Sequence, residues 1–233
     1  MSFLDMSRLQ SGLKELGLSA TERQLEQLDL FAEMLFKWNK TYNLTAISAK
    51  EDVLTHHILD SLSVISLFKS EAMDGARILD VGSGGGLPAI PLAIMCPSFS
   101  ISMVDTVGKK AAFLTQCCVS LRLQNARAFH ARVENLKGEK YDVITSRAFA
   151  SLSLFTDLTK HLLKEDGCWL ALKGPGVSKE VMELSADICV EENFDVQVPY
   201  LGEKRCLVKM KIREKLYTKI KLYKINCTIN NLI

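Results

Sequence analysis

Hydrophobic positions divide the chain into two parts with different periods. In the first 70 residues they recur at helical spacing. Leu9, Leu13 and Leu16 form one short stripe, and Leu25, Leu28, Phe31, Leu35 and Trp38 form a longer one. Ser19, followed by Glu22, predicts a capping box ahead of the second stripe. A third helix is predicted over Asp52 to Phe68, with Val53, Ile58, Leu62, Ile65 and Phe68 inside. The polar connection NKTYNLTAIS lies before it, where the side chains of Asn43 and Thr45 are expected to fix the loop by hydrogen bonds.

From residue 76 the period shortens. ARILDVG, ISMVDT, ARAFHA, YDVITSRA and DGCWLALKG read as five buried strands. Between them LPAIPLAIMC, with Pro88 in its first turn, residues 108–122 and residues 151–163 read as helices. Residues 178–190 predict a last main helix, and DVQVPYL and RCLVKMKI predict an antiparallel hairpin around Gly202 and Glu203. Strands alternating with helices predict an α/β fold, an open mixed sheet with helices on both faces and right-handed crossovers. An N-terminal helical lobe over 1–74, a sheet domain over 75–212 and a basic extension over 213–233 complete the expected organisation. The extension fits an edge strand, a basic helix or an unstructured segment equally well.

Composition narrows the function classes. With 48% hydrophobic and 24% charged residues the chain is an ordinary globular mixture. Seven cysteines without any Cys-x-x-Cys pair predict buried thiols in a reducing compartment, not a zinc site or a disulfide framework. No metal is expected, because His56 and His57 are adjacent and His130 and His161 stand alone. The first ten residues lack the apolar stretch of a signal peptide, and no run is long enough to span a membrane. The expectation is a cytoplasmic, monomeric protein. Of the net charge of +2, residues 211–233 hold six Lys and Arg against one Glu, which leaves the rest of the chain at −3. Nucleic-acid binding would therefore need a local patch.

The densest chemical signal is DVGSGGGLP, residues 80–88, where the first strand gives way to a helix. Glycines there let the backbone turn tightly and approach a ligand. The spacing Gly-x-Gly-x-x-Gly fails, since Leu87 occupies its sixth position counted from Gly82. No Gly-Lys-Ser/Thr follows, so an ATPase loop is not formed. Asp80 just before the glycines is badly placed beside a pyrophosphate but suits a ligand with an ammonium group, directly or through water. S-adenosylmethionine carries such a group and no phosphate. Asp105, 25 residues further on at the end of the second strand, is placed to accept from ribose hydroxyls. Val133 and Glu134, just past the third strand, lie where an adenine is expected. Gly82, Ser83, Gly84, Gly86, Leu87, Arg132 and Arg147 complete the expected cofactor set.

WNKTYNLTAIS, HHILDSL, ILDVGSGGGLPAIPLAI, MVDTVGKKAAFL, ARVENL, VITSRAFASL, WLALKG and LGEKRCLVKMK occur in this order over residues 5–211. In these segments the chain resembles the bacterial glucose-inhibited division protein B family, the 16S ribosomal RNA guanine-N7 methyltransferases G. The resemblance implies a class I S-adenosylmethionine-dependent methyltransferase (Rossmann-like) fold. It implies methylation of N7 of a guanine in the 530 loop, on the small ribosomal subunit or an assembly form of it. Gly82, Gly84 and the loop around them would line the cofactor. RNA would be positioned by Arg147 and Lys173, at the ends of the fourth and fifth strands, by Lys109, Lys110 and Arg132 at the same edge, and by His57 and Asp60, with His56 turned outward. Members usually carry Arg-His where this chain has Arg205-Cys206. Methylation of another RNA or a small molecule, and ribosome assembly without catalysis, are the competing readings of the same loop.

Overall fold

The computed structural model describes residues 2–147, 149–174 and 176–213; the basic extension, apart from Arg213, lies outside them. Helices α1 (Met6–Glu15) and α2 (Glu22–Tyr42) open the chain. The cap of α2 is one step from the expected pair. Thr21, not Ser19, accepts from the Gln24 amide, and the Gln24 side chain answers at the Thr21 amide. Asn43 ends α2 in the left-handed conformation, φ 49°, so it shapes the loop through its backbone.

The expected third helix is interrupted. α3 (Lys50–Val53) runs into a π-helical turn, Leu54–Leu59, then α4 (Asp60–Leu62), and α5 (Ile65–Glu71) follows after a break. All five positions expected inside are buried.

The sheet comprises β1 (Arg77–Val81), β2 (Ser100–Asp105), β3 (Ala126–His130), β4 (Tyr141–Arg147), β5 (Leu163–Lys173), β6 (Ile188–Val196) and β7 (Arg205–Ile212). Helices α6 (Ala89–Met95), α7 (Gly108–Ser120), α8 (Leu152–Thr159) and α9 (Ser178–Met182) lie between strands. The order is β3-β2-β1-β4-β5-β7-β6, parallel through β5, with β7 antiparallel to both of its neighbours.

Two corrections fall at the end of the chain. The expected last helix stops at Met182, and residues 188–190 already belong to β6. Pairing with β7 over eight register positions outweighs a weak helical pattern. The expected strand DVQVPYL contributes only Asp195 and Val196, because Pro199 and Tyr200, at φ 65°, turn the chain away.

Alternate positions of each strand serve opposite faces. Ile78, Ile101, Val143 and Leu170 join one core with Leu9, Leu28, Phe31 and Ile58 of the helical segment. Leu79, Val104, Ile144 and Trp169 join the other, with Leu152 and Phe155 of α8. Trp169 is fully buried and donates its indole N–H to Thr159 Oγ1 at 2.9 Å. Truncating a core aromatic of this kind costs about 3–5 kcal/mol. The helical segment thus seals one sheet face, and its 43–60 stretch reaches the edge where the parallel strands end.

Candidate active site

The glycine loop is built by backbone geometry. Gly82, at φ 70°, and Ser83 donate to the Val104 carbonyl at 2.9 and 3.2 Å, which curls the chain over the end of β2. Gly86, at φ 78°, closes the turn by donating to Ser83 at 2.7 Å. A Cβ on Gly86 would stand 2.7 Å from Ile90 and 3.2 Å from Leu114, so the loop fits against α6 and α7 only without a side chain. Asp105 is buried and staples this arrangement. Its Oδ2 accepts from Gly84 at 2.9 Å and its Oδ1 from Val107 at 2.8 Å.

A cavity of about 360 Å³ opens beside the loop. Gly82, Asp105, Lys110, Arg132, Val133 and Glu134 line it, together with Val81, Ala131 and Phe149. Its residues come from the ends of β1, β2 and β3, the edge where ligands bind in open α/β sheets. Asp80 directly precedes Val81 and Gly82 of this lining; it is fully buried, and among the described residues neither carboxylate oxygen has a hydrogen-bond partner. Burial pushes its pKa up to about 7, partly offset by the Arg147 charge, while the nearby Ser83 hydroxyl donates to the Asp80 backbone carbonyl at 2.9 Å instead of the carboxylate. A buried carboxylate without a partner is costly and suits a cationic ligand group.

A second cavity, of about 430 Å³, lies at the seam between the helical segment and the ends of β4, β5 and β7. His56, His57, Asp60, Arg147, Lys173, Glu203 and Arg205 line it. Because β7 runs antiparallel, its first residue, Arg205, arrives at the same edge as the last residues of β4 and β5. Asp60 is buried and accepts from two guanidinium groups: Arg147 Nη1 at 3.0 Å on Oδ2, and Arg205 Nε at 3.1 Å on Oδ1. Arg147 Nη1 also reaches the His56 carbonyl at 3.3 Å, and Arg205 holds Glu203 at 2.8 Å.

His57 is buried, with both ring nitrogens engaged. Nδ1 donates to the His56 carbonyl at 2.9 Å, which leaves Nε2 to accept from Thr45 Oγ1 at 3.0 Å. Burial and then the Arg147 charge lower its pKa to about 4, so the ring is neutral at physiological pH. Thr45 and Asn39 lock the loop beneath it, since Asn39 accepts from the Thr45 amide at 2.8 Å and donates to the Ile47 carbonyl at 2.9 Å.

A family model described as "GidB: rRNA small subunit methyltransferase G" matches residues 24–208. Proteins named ribosomal RNA small subunit methyltransferase G are similar along most of the chain. The one from Paracidovorax citrulli is 46% identical over 221 residues, covering 88% of this chain and 89% of its own. The one from Laribacter hongkongensis is 46% identical over 206 residues, covering 88% and 97%.

The chain belongs to the small-subunit ribosomal RNA methyltransferase G family.

Solved structures agree on the fold. A SAM-dependent methyltransferase from Aquifex aeolicus superposes with a TM-score of 0.55 at 16% identity, covering 78% of this chain and 98% of its own. The putative methyltransferase yhhF from Escherichia coli gives 0.52 at 12%, covering 66% and 87%. This is the class I methyltransferase fold.

Within this member of the family, the residues singled out from sequence separate into groups. Gly82, Asp105, Arg132, Val133 and Glu134 meet at the first cavity, and His57, Asp60, Arg147 and Lys173 at the second. Ser83 and Leu87 are buried without lining either, and Gly86 faces Ile90 and Leu114. Arg132 pairs with Glu134 at 3.3 Å. Lys109 stands 5.7 Å above the Tyr42 ring, while its neighbour Lys110 lines the first cavity. Lys173 is engaged, donating to Glu180 at 2.8 Å and to the Phe149 carbonyl at 3.1 Å. His56, expected to turn outward, lines the second cavity.

Sequence reasoning missed Phe149, Glu203 and Arg205. Phe149 lies 4.0 Å from where a Gly82 Cβ would be, and its carbonyl takes Lys173, so it stands between the two cavities. Glu203 and Arg205 stand in the LGEKRCLVKMK segment, but only the antiparallel course of β7 brings them to this cavity. Cys206 pairs with Lys173 in the sheet, and its thiol reaches the Gly174 carbonyl at 3.8 Å.

Proposed function

We propose that this chain transfers the methyl group of S-adenosylmethionine to N7 of a guanine in the 530 loop of 16S ribosomal RNA, on the small subunit or an assembly form of it in the cytoplasm. The observation that carries the reading is that a nucleoside-sized cavity, lined by Val81 and Gly82 next to the unpartnered buried carboxylate of Asp80, shares a sheet edge with a guanidinium-lined cavity.

S-adenosylmethionine fits the first cavity chemically. Asp80 would take its ammonium group, Asp105 its ribose hydroxyls, and the Val133–Glu134 segment its adenine. Each Asp105 oxygen accepts one backbone N–H and keeps a lone pair for a hydroxyl. When bound, the cofactor supplies an electrophilic methyl group on a sulfonium.

The rest of the chemistry asks little of proton transfer. Guanine N7 has an in-plane lone pair and attacks without losing a proton, so the chain supplies position and charge rather than a general base. His57 fits that division: it is neutral, and both its nitrogens are committed to holding the Asn39–Ile47 loop and the His56 backbone. Arg147 uses only Nη1 among the described contacts, leaving donors for guanine O6 or a phosphate. Asp60 fixes that guanidinium before substrate arrives. Lys173, through Glu180 and Phe149, orders the segment after β4. Lys109, Lys110 and Arg132 supply cations for backbone phosphates at the rim of the first cavity.

The test is to incubate the protein with labelled S-adenosylmethionine and unmethylated small subunits, then map the product. Label on guanine N7 within the 530 loop is expected. Label elsewhere in RNA or on a small molecule, or tight subunit binding without turnover, would overturn the reading.

A further inference from the structure

The seam cavity contains two carboxylates in very different states. Asp60 has a 6% exposed side chain, and each of its oxygens already accepts from an arginine. Glu203 has a 61% exposed side chain and, among the described residues, pairs only with Arg205 Nη2, at 2.8 Å. Of about four lone-pair sites on a carboxylate, Asp60 uses two and Glu203 one, and the exposure of Glu203 leaves its remaining sites open to a base in the cavity, where those of Asp60 are covered. Arg205 is spent on this arrangement: Nε goes to Asp60, Nη2 to Glu203 and Nη1 to the Lys204 carbonyl at 3.2 Å. It acts as a splint that fixes an open carboxylate against a buried one.

A guanine presents two donors side by side, N1–H and the exocyclic 2-amino group, on the edge opposite N7. An adenine presents a lone pair at N1 and no 2-amino group. A fixed carboxylate therefore attracts the first base and repels the second. Arg147, which lines the same cavity and is held on the other oxygen of Asp60, provides the complementary donors for O6.

We propose that Glu203, held by Arg205, reads the N1–H and 2-amino edge of the target base and makes the methyltransferase specific for guanine. The inference rests on the function proposed above and adds the residue that selects the base. A site built to hydrogen-bond a donor discriminates strongly against an analogue lacking it.

Small subunits reconstituted with inosine at the target position, which keeps N7, O6 and N1–H but lacks the 2-amino group, test it. The wild-type protein is expected to use guanine over inosine by about tenfold or more in kcat/KM. Glu203→Ala is expected to bring that ratio to within about twofold of unity, at a lower rate for both substrates. Glu203→Gln, close in shape and therefore the safer variant for folding, is expected to give an intermediate ratio, because its amide oxygen still accepts. Loss of guanine methylation by the wild-type protein would sink the proposed function itself. Guanine methylation with equal use of inosine, or a guanine preference that survives in both variants, would overturn only the assignment of Glu203.

Discussion

The two cavities share one sheet edge but are assembled in opposite ways. The first is made from consecutive backbone: two turns, five glycines and one stapling carboxylate within residues 80–108, plus the end of β3. It leaves a charge site, Asp80, without a partner. The second is made from side chains as far apart in sequence as Thr45 and Arg205, and its charges satisfy one another. On the function proposed, the contrast is between a site that a cofactor would complete and one whose preset frame a substrate would enter. The first therefore tunes affinity, and the second tunes geometry.

Arg147→Ala tests this division most severely. It should lower methyl transfer by about 10²–10³-fold while cofactor affinity changes little. Parallel calorimetry and single-turnover rates would decide, and an equal loss in both would merge the two sites into one. Asp80→Asn should do the converse, weakening S-adenosylmethionine about ten- to hundredfold in calorimetry, with a smaller effect on turnover at saturation. Because folding raises the Asp80 pKa from 3.8 to about 7, its contribution to stability is fully present below about pH 4 and lost as the pH rises through 7. The cofactor-free Asn variant should therefore gain stability over the wild type above pH 7, and the gain should shrink when cofactor is added. A variant equally stable or weaker at every pH would mean that Asp80 has a partner.

His57 probes the preset frame with the opposite sign. Folding lowers its pKa from 6.5 to about 4, so its contribution is present above pH 6.5 and lost as the pH falls through 4, by about 3 kcal/mol in all. His57→Gln should flatten that acid-side loss in denaturant melts taken between pH 4 and 6.5, and a slope identical to wild type would discount the burial argument. Gly86→Ala should cost about 1–3 kcal/mol in the same melts, through both its φ of 78° and the approach to Ile90. Lys109→Ala should have the smallest effect. It should raise KM about two- to threefold at low salt, and the difference should fade as ionic strength rises.

The same contrast explains what could be read from sequence. Strand and helix positions in the centre of the sheet were legible because buried strands ending in glycines leave a strong pattern, and Asp105 stands where its strand ends. Thr21 and Gln24 were hidden by the equally spaced Ser19 and Glu22 two residues earlier. Residues 188–190 of β6 looked helical because an edge strand with an exposed middle has no clean alternation; pairing with β7 makes them a strand. Arg147 and Lys173 could be found because parallel strands deliver their last residues to one edge. Glu203 and Arg205 could not, because their position depends on a long-range antiparallel pairing.

The π-helical turn at Leu54–Leu59 sets a phase relation in the helical segment. A π turn accommodates one more residue than the α-helix around it, which shifts every side chain beyond it by about 100° relative to those before. That offset allows Val53 and Ile58 to point into the core while Asp60 meets both guanidinium groups. Deleting a single residue inside the turn would give a more regular helix and yet rotate Asp60 out of reach of Arg147 and Arg205. In this stretch the count of residues is as much a functional constraint as their identity.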